Sequence, residues 1–279
     1  MRPRHISRRQ LLRTGGSALL AMNLWPGALA HADAPADDFE FIAANDLHYQ
    51  DENCGKFFAA VRHKIGDAAP KAELVLALGD MANRNQAKQL AGMRDILRGW
   101  KLAARVIRGN HDWVLSEDEM HVSGKPFEQI YPDSLNYTFD YRGWQFIALD
   151  STNGPKWQYV EIQPAPLAWL DDNLPKLDRR KPTILITHIP LGQKVRAVYR
   201  MKNGDAVLDR LKPFNLRAAL CGHYHAQTES RQGDIVLTTG KCCSFAASNH
   251  DRTPEKGFFV CSAKDGRIEH RFVEVPARV

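Results

Sequence analysis

LRAALCGHYHAQ, residues 216–227, runs from an apolar stretch through a glycine into two histidines that alternate along the backbone. A short apolar run bounded by turn residues reads as a buried strand. Four other runs have the same form: FEFIAAN (39–45), ELVLALGD (73–80), RVIRGNHD (105–112) and TILITHIP (183–190). Each ends in side chains that can hold a metal. Asp46 and His48 follow the first, Asp80 ends the second, Asn110, His111 and Asp112 end the third, and His188 sits in the fourth. A single D-x-H or G-D is ordinary turn punctuation. The ordered set, each member at the tip of an apolar run, points instead to one shared edge, because ligands of open α/β sheets gather beyond the carboxyl ends of the strands.

Helical patterns lie between several of these runs: Phe57, Phe58, Val61 and Ile65, then Ala87 to Leu97, then Leu167, Leu170 and Leu174 behind Pro166. Alternating strands and helices predict a largely parallel sheet with covered faces. From LNYTFDYRGWQFIALD (135–150) onward the pattern changes to hairpins, with further strands near 257–263 and 268–275, so a second, more antiparallel sheet is expected against the first. The fold class is α/β.

Composition is that of an ordinary globular chain: 279 residues, 44% hydrophobic and 25% charged. The net charge of +6 does not imply a nucleic-acid partner. Arg2, Arg4, Arg8, Arg9 and Arg13 all fall within residues 1–30, which contain no acid, and the remainder is nearly neutral. Those thirty residues have the anatomy of a signal peptide, a basic stretch, a modest apolar run and small-residue cleavage sites. SRRQLL (7–12) resembles the twin-arginine export motif. Asn23 and Pro26 make the apolar run a poor permanent membrane span. Residues 31–37 read as a linker and 38–279 as one domain, periplasmic or secreted, delivered by the twin-arginine machinery. Export in the folded state suits a chain that acquires metal before it leaves the cytoplasm.

Of five cysteines, Cys221 and Cys261 lie in apolar runs and read as small buried residues. The adjacent Cys242 and Cys243 allow a strained vicinal disulfide, with alternating burial the simpler expectation.

The motifs DLH (46–48), GD (79–80), GNHD (109–112), His188 and GHYH (222–225) together resemble the calcineurin-like metallophosphoesterases, over residues 38 to 275. The hairpin 136–151 resembles the cyclic-nucleotide phosphodiesterase-like branch. The resemblance implies a two-sheet β-sandwich flanked by helices in four layers. It implies two divalent or mixed-valence transition metal ions, iron, manganese or zinc: Asp46, His48 and His225 on one, Asn110, His188 and His223 on the other, and Asp80 bridging them. Gly222 would permit the turn, and Tyr224 would pack below the site, with substrate contact as the alternative. Two such ions about 3.5 to 4 Å apart can generate hydroxide and clamp the oxygens of an in-line displacement at phosphorus. His111 would stabilise the transition state or protonate the leaving oxygen, and Asp112 would orient its imidazole and favour its charged form.

Asn83 stands where purple acid phosphatases carry a ligand tyrosine, and GDMANRN (79–85) lacks the protein-phosphatase pattern. The substrate is expected to be a small phosphate ester, a phosphodiester ahead of a monoester, with no specific nucleic acid. A catalytically silent metal- or phosphate-binding protein is the reading from another class. Lys194, Arg196, Tyr199, Arg200 and Lys202 form a candidate anion-receiving loop, and Trp113, Phe127 and Tyr131 a candidate wall over the metals.

Overall fold

A computed structural model describes residues 36–84, 86–115 and 122–276. The expected signal peptide and most of the expected linker lie outside the described residues. In chain order the elements are β1 (Phe39–Ala44), α1 (Cys54–Ala68), β2 (Leu74–Ala77), α2 (Ala87–Gly99), β3 (Ala103–Val106), β4 (Val114–Leu115), β5 (Val122–Ser123), α3 (Lys125–Ile130), β6 (Tyr137–Tyr141), β7 (Trp144–Ala148), α4 (Pro164–Asn173), β8 (Thr183–Thr187), α5 (Asp205–Leu211), β9 (Leu216–Cys221), β10 (Thr228–Gln232), β11 (Ile235–Thr239), β12 (Lys256–Lys264) and β13 (Arg267–Val275).

Two mixed sheets pack face to face between helices. The first has the order β13-β12-β1-β2-β3 and the second β10-β11-β9-β8-β7-β6. Alternation along β1 shows how the layers form. Phe41 and Ala43 point between the sheets, where Phe41 meets Phe146 edge-on at 6.0 Å. Ile42 and Ala44 point the other way, under Phe57, Phe58, Val61 and Ile65 of α1 and Leu90, Met93 and Leu97 of α2. A third apolar layer joins Ile147 and Leu185 of the second sheet to Leu170 of α4 and Val207 and Leu211 of α5. Central strands are therefore apolar on both faces, and each fully buried Phe, Ile or Leu contributes about 1.5–3 kcal/mol.

The second sheet departs from expectation. Its four central strands, β7, β8, β9 and β11, are parallel, with antiparallel pairing only where β6 and β10 close the edges. The hairpin β12–β13 joins the first sheet, β12 lying antiparallel to β1 with Phe41 opposite Cys261. The reason is burial. Phe258 and Val260 face the helices while Phe259, Cys261 and Ala263 face the other sheet, so β12 needs a position covered on both sides.

All five cysteines are free and buried. Cys242 and Cys243 are both fully buried rather than alternating, Cys243 in the core and Cys242 with its sulfur 3.1 Å from the ammonium of the buried Lys256. No helix among the described residues is long and apolar enough to cross a membrane.

Candidate metal centre

β1, β2, β3, β8 and β9 deliver their carboxyl ends to one edge, and all seven candidate ligands lie just beyond those ends, buried. The backbone there is unusual. Asp46, His48, Asp80, His223 and His225 all adopt positive φ, between 37° and 69°. Such a conformation is uncommon for a residue with a Cβ and persists where the surroundings enforce it. Here the enforcement is a short ladder between loops, with N–H groups of His48 and Tyr49 donating to the carbonyls of Asp80 and Met81 at 2.8 and 2.9 Å. Two glycines make the close approach possible. A Cβ on Gly79, itself at φ +93°, would lie 2.3 Å from His188 Nδ1. A Cβ on Gly222 would lie 2.6 Å from the Leu78 carbonyl, so Gly222 serves close packing where the chain turns, the Tyr224 N–H donating to its carbonyl at 2.8 Å.

The ligand atoms form two groups that share Asp80. One comprises Asp46, His48, Asp80 and His225 and the other Asp80, His188 and His223; within each, one ligand atom per residue lies within 4.8 Å of the others. Asp80 Oδ2 is 3.6 Å from His48 Nε2, while its Oδ1 is 3.4 Å from His188 Nε2. His225 Nε2 lies 3.3 Å from Asp46 Oδ1 and 3.1 Å from His48 Nε2. Asn110 joins the second group, its Oδ1 3.1 Å from His188 Nε2.

A surrounding layer of carbonyls sets which ring nitrogen faces inward. Leu78 O lies 2.9 Å from His188 Nδ1, Trp157 O 2.8 Å from His223 Nε2, and Ser248 O 2.9 Å from His225 Nδ1. Since a carbonyl only accepts, each of these nitrogens carries its proton and the opposite one presents a lone pair to the cluster. His48 Nδ1 is buried with no hydrogen-bond partner. Asn45 Nδ2 donates to both Asp46 Oδ2 and the Gly240 carbonyl, and the His223 N–H donates to Asp46 Oδ1 at 2.9 Å. Ser151 Oγ accepts the backbone N–H groups of His188 and Ile189 at 3.1 and 2.9 Å.

Converging imidazole, carboxylate and amide donors suit iron, manganese or zinc, and His48 Nε2 and His225 Nε2, 3.1 Å apart, are close enough for both to reach one cation. The residues fit metal. The charge state fits metal at His48 and His223, whereas at His225 burial is outweighed by the Asp46 carboxylate, which holds that imidazole well above its usual range. Burial holds the His48 and His223 imidazoles down at about 3, in the neutral ligand form. Burial would raise Asp46 and Asp80, but the neighbouring imidazoles, His225 first for Asp46 and His188 first for Asp80, hold both carboxyls below the usual range.

His111 and Asp112 stand apart from one another chemically. The half-buried His111 ring lies 4.8 Å from that of His48, its Nδ1 3.0 Å from the Asn83 carbonyl and its backbone N–H on Asp80 Oδ1 at 2.8 Å. The Asp112 carboxylate turns away from it and accepts the N–H groups of Ala82 and Gly109 at 2.9 and 2.8 Å. The Asn83 carbonyl, not Asp112, orients the imidazole. Asp112 is fully buried and clasps the second and third strand ends together, and burial followed by the charge of Asp80 pushes its carboxyl up to about 7.

Other expectations are redistributed. Phe127 and Tyr131 pack in the core, the Tyr131 hydroxyl on the Leu90 carbonyl, and form no wall. Trp113 stays nearer the edge, stacked on Arg108 at 4.1 Å and bonded to Thr152. Lys202 is engaged by Glu161 at 2.7 Å. Tyr224 is partly exposed, its ring 5.5 Å from Tyr199 and 5.7 Å from His250. Trp157, His250, Ser151 and Asn45 had no local signature in the sequence. A cavity of about 250 Å³ beside the centre is lined by Asn110, His111, Pro155 and Trp157. Cavities of about 300 and 400 Å³ elsewhere contain none of the candidate ligands, so size alone does not locate the site.

Known proteins resemble this chain in sequence or fold. A 3',5'-cyclic-nucleotide phosphodiesterase from Nostoc is 24% identical over 207 residues, 72% of this chain and 74% of that protein. A probable glycerophosphodiester phosphodiesterase from Arcobacter nitrofigilis is 25% identical over 219 residues, 77% of each. Among solved structures, a dimetal phosphatase from Danio rerio superposes with a TM-score of 0.58 at 15% identity, covering 85% of this chain and 99% of that one, a likeness of fold. Residues 39–227 match the calcineurin-like phosphoesterases, and with the buried Asp, His and Asn cluster at the strand ends the chain belongs to that family of metal-dependent phosphoesterases.

Proposed function

We propose that the chain is an exported phosphodiesterase that works with two metal ions. What supports two ions is the placing of Asp80, whose carboxylate oxygens lie toward different groups, Oδ2 toward His48 and Oδ1 toward His188. Asp46, His48 and His225 would hold one ion and Asn110, His188 and His223 the other. When bound, such ions supply Lewis acidity toward phosphoryl oxygens and make water a nucleophile near neutral pH.

The chain's own part is positioning and proton transfer. With Nδ1–H held by the Asn83 carbonyl, His111 directs Nε2 at the reacting region, and a proton carried on Nε2 can pass to a departing alkoxide, leaving the neutral imidazole. The names of the phosphodiesterase relatives favour diesters over monoesters. Elemental analysis combined with a panel of aryl phosphomonoesters, phosphodiesters and cyclic nucleotides tests the reading. Two ions per chain and higher kcat/KM on diesters are expected; a single ion, or faster monoester turnover, overturns the corresponding part. SRRQLL and the apolar run behind it support export, and changing both Arg8 and Arg9 to lysine should hold the folded precursor in the cytoplasm. Unchanged export would remove the twin-arginine assignment.

A further inference from the structure

Beside the candidate centre the surface carries a row of rings. Trp157 and Tyr199 have centroids 5.9 Å apart at 33°, Tyr199 and His250 4.9 Å at 30°, and His250 stacks on the ligand His225 at 4.8 Å and 15°. Trp157 is 51% exposed. A single exposed indole needs no explanation by itself. This one is braced. Its own carbonyl holds His223 at 2.8 Å, the next loop is tied to it through Tyr159 N–H on Val198 O and Lys202 N–H on Val160 O, each 2.8 Å, and Tyr199 backs its ring. The backbone carrying the indole is thus fixed relative to a candidate metal ligand, and the indole lines the same cavity as His111.

We infer that Trp157 is a specificity-determining residue: the cavity between it and His111 takes the planar ring of the substrate's ester group, an aryl or nucleobase moiety, stacked on the indole. The inference rests on the phosphodiesterase reading and adds a substrate class to it. A flat apolar face lining the cavity next to the reacting region matches a planar ring carried by the ester group. A small flexible alcohol such as glycerol would leave that face wet. Aromatic pairs gain about 0.5–1.5 kcal/mol beyond the area they bury, or roughly two- to ten-fold in affinity.

The test uses benzylphosphonate and cyclohexylmethylphosphonate, which are alike in charge and size and have no ester bond to cleave. Calorimetric titration of the metal-loaded protein should show benzylphosphonate binding roughly two- to ten-fold more tightly. Trp157→Ala should abolish that preference and Trp157→Phe retain most of it, with metal content unchanged because any residue at 157 keeps the carbonyl that holds His223. No preference in the wild type, or one that survives Trp157→Ala, overturns the inference. Turnover of bis(p-nitrophenyl) phosphate by the same preparation separates the two readings. If it is hydrolysed and no benzyl preference is seen, the ring subsite alone falls, whereas absence of hydrolysis overturns the phosphodiesterase reading and the substrate class with it.

Discussion

Ser151→Ala should be far more damaging than a loss of one hydroxyl suggests. Ser151 is fully buried just past β7, and its Oγ accepts two backbone N–H groups, from His188 and Ile189, where the chain leaves β8. Alanine fits the space but strands both donors away from water. Leaving a buried donor unsatisfied costs about 1–3 kcal/mol, so the variant, with two stranded, should lose about 2–6 kcal/mol, out of a typical total of about 5–15. The control is Ser134→Ala, whose surface hydroxyl bonds only the Pro132 carbonyl at 3.3 Å and should stay within about 0.5 kcal/mol of wild type.

Denaturant unfolding of metal-stripped protein is the assay, since bound metal would add its own stabilisation. Metal titration of the same variant gives a second readout. With the His188 backbone loosened, affinity at the group containing His188 and His223 should fall. A stability loss below about 0.5 kcal/mol with unchanged metal affinity would refute the view that this hydroxyl sets the position of His188.

Other outcomes follow from the same geometry. Asp80→Asn removes the only carboxylate common to both groups, so elemental analysis should find less than the wild-type metal content; full content would show that Asp80 is not shared. His111→Ala should keep its metal and lose about 10²–10⁴-fold on alkyl diesters but much less on nitrophenyl esters, whereas Asp112→Ala should lose stability without changing the dependence on leaving-group pKa. Equal leaving-group dependence in the two variants would restore a joint role. All five cysteines should react with a thiol reagent after unfolding without reductant and none before it; four or fewer after unfolding would reveal a disulfide. Removing metal with a chelator should lower the melting temperature, and restoring it should raise the temperature again. An unchanged melting temperature would argue against metal binding to the folded chain.

The ends of the apolar runs were legible because strand and ligand are neighbours in the chain. Asp46, Asp80, His188 and His223 follow their strands by a few residues, and the parallel arrangement then brings those ends together without further information. What was not legible depends on distant partners. Asp112 looks like a companion of His111 by adjacency, but its oxygens are taken by Gly109 and by Ala82, thirty residues away. The β12–β13 hairpin could have closed either sheet, and only the two-sided burial of β12 decides for the first. Trp157 and His250 lie in irregular loops with no periodic pattern, so nothing local distinguishes them from solvated residues. Ser151 follows β7 directly, yet its role depends on which strand lies beside β7, and that is a property of the sheet order.

The site is also where the metal-free chain is least at ease. Five candidate ligands have positive φ, a conformation that costs of order 1–3 kcal/mol at a non-glycine residue. Four imidazoles and two carboxylates are withdrawn from water, and His48 keeps a buried nitrogen without a partner. The loop ladder from His48 to Asp80 and from Tyr49 to Met81, together with the carbonyl brackets on His188, His223 and His225, offsets part of that cost. The carbonyl brackets come from Leu78, Trp157 and Ser248, which are not themselves candidate ligands, so they operate whether or not metal is present. The scaffold thereby holds the ligands close to their working geometry at the expense of its own stability. An ion bound only by the folded chain at a thousand times its Kd would restore about 4 kcal/mol. Metal affinity and fold stability are therefore two readings of one balance: a change that relaxes the ligand loops should stabilise the stripped chain while weakening its hold on metal.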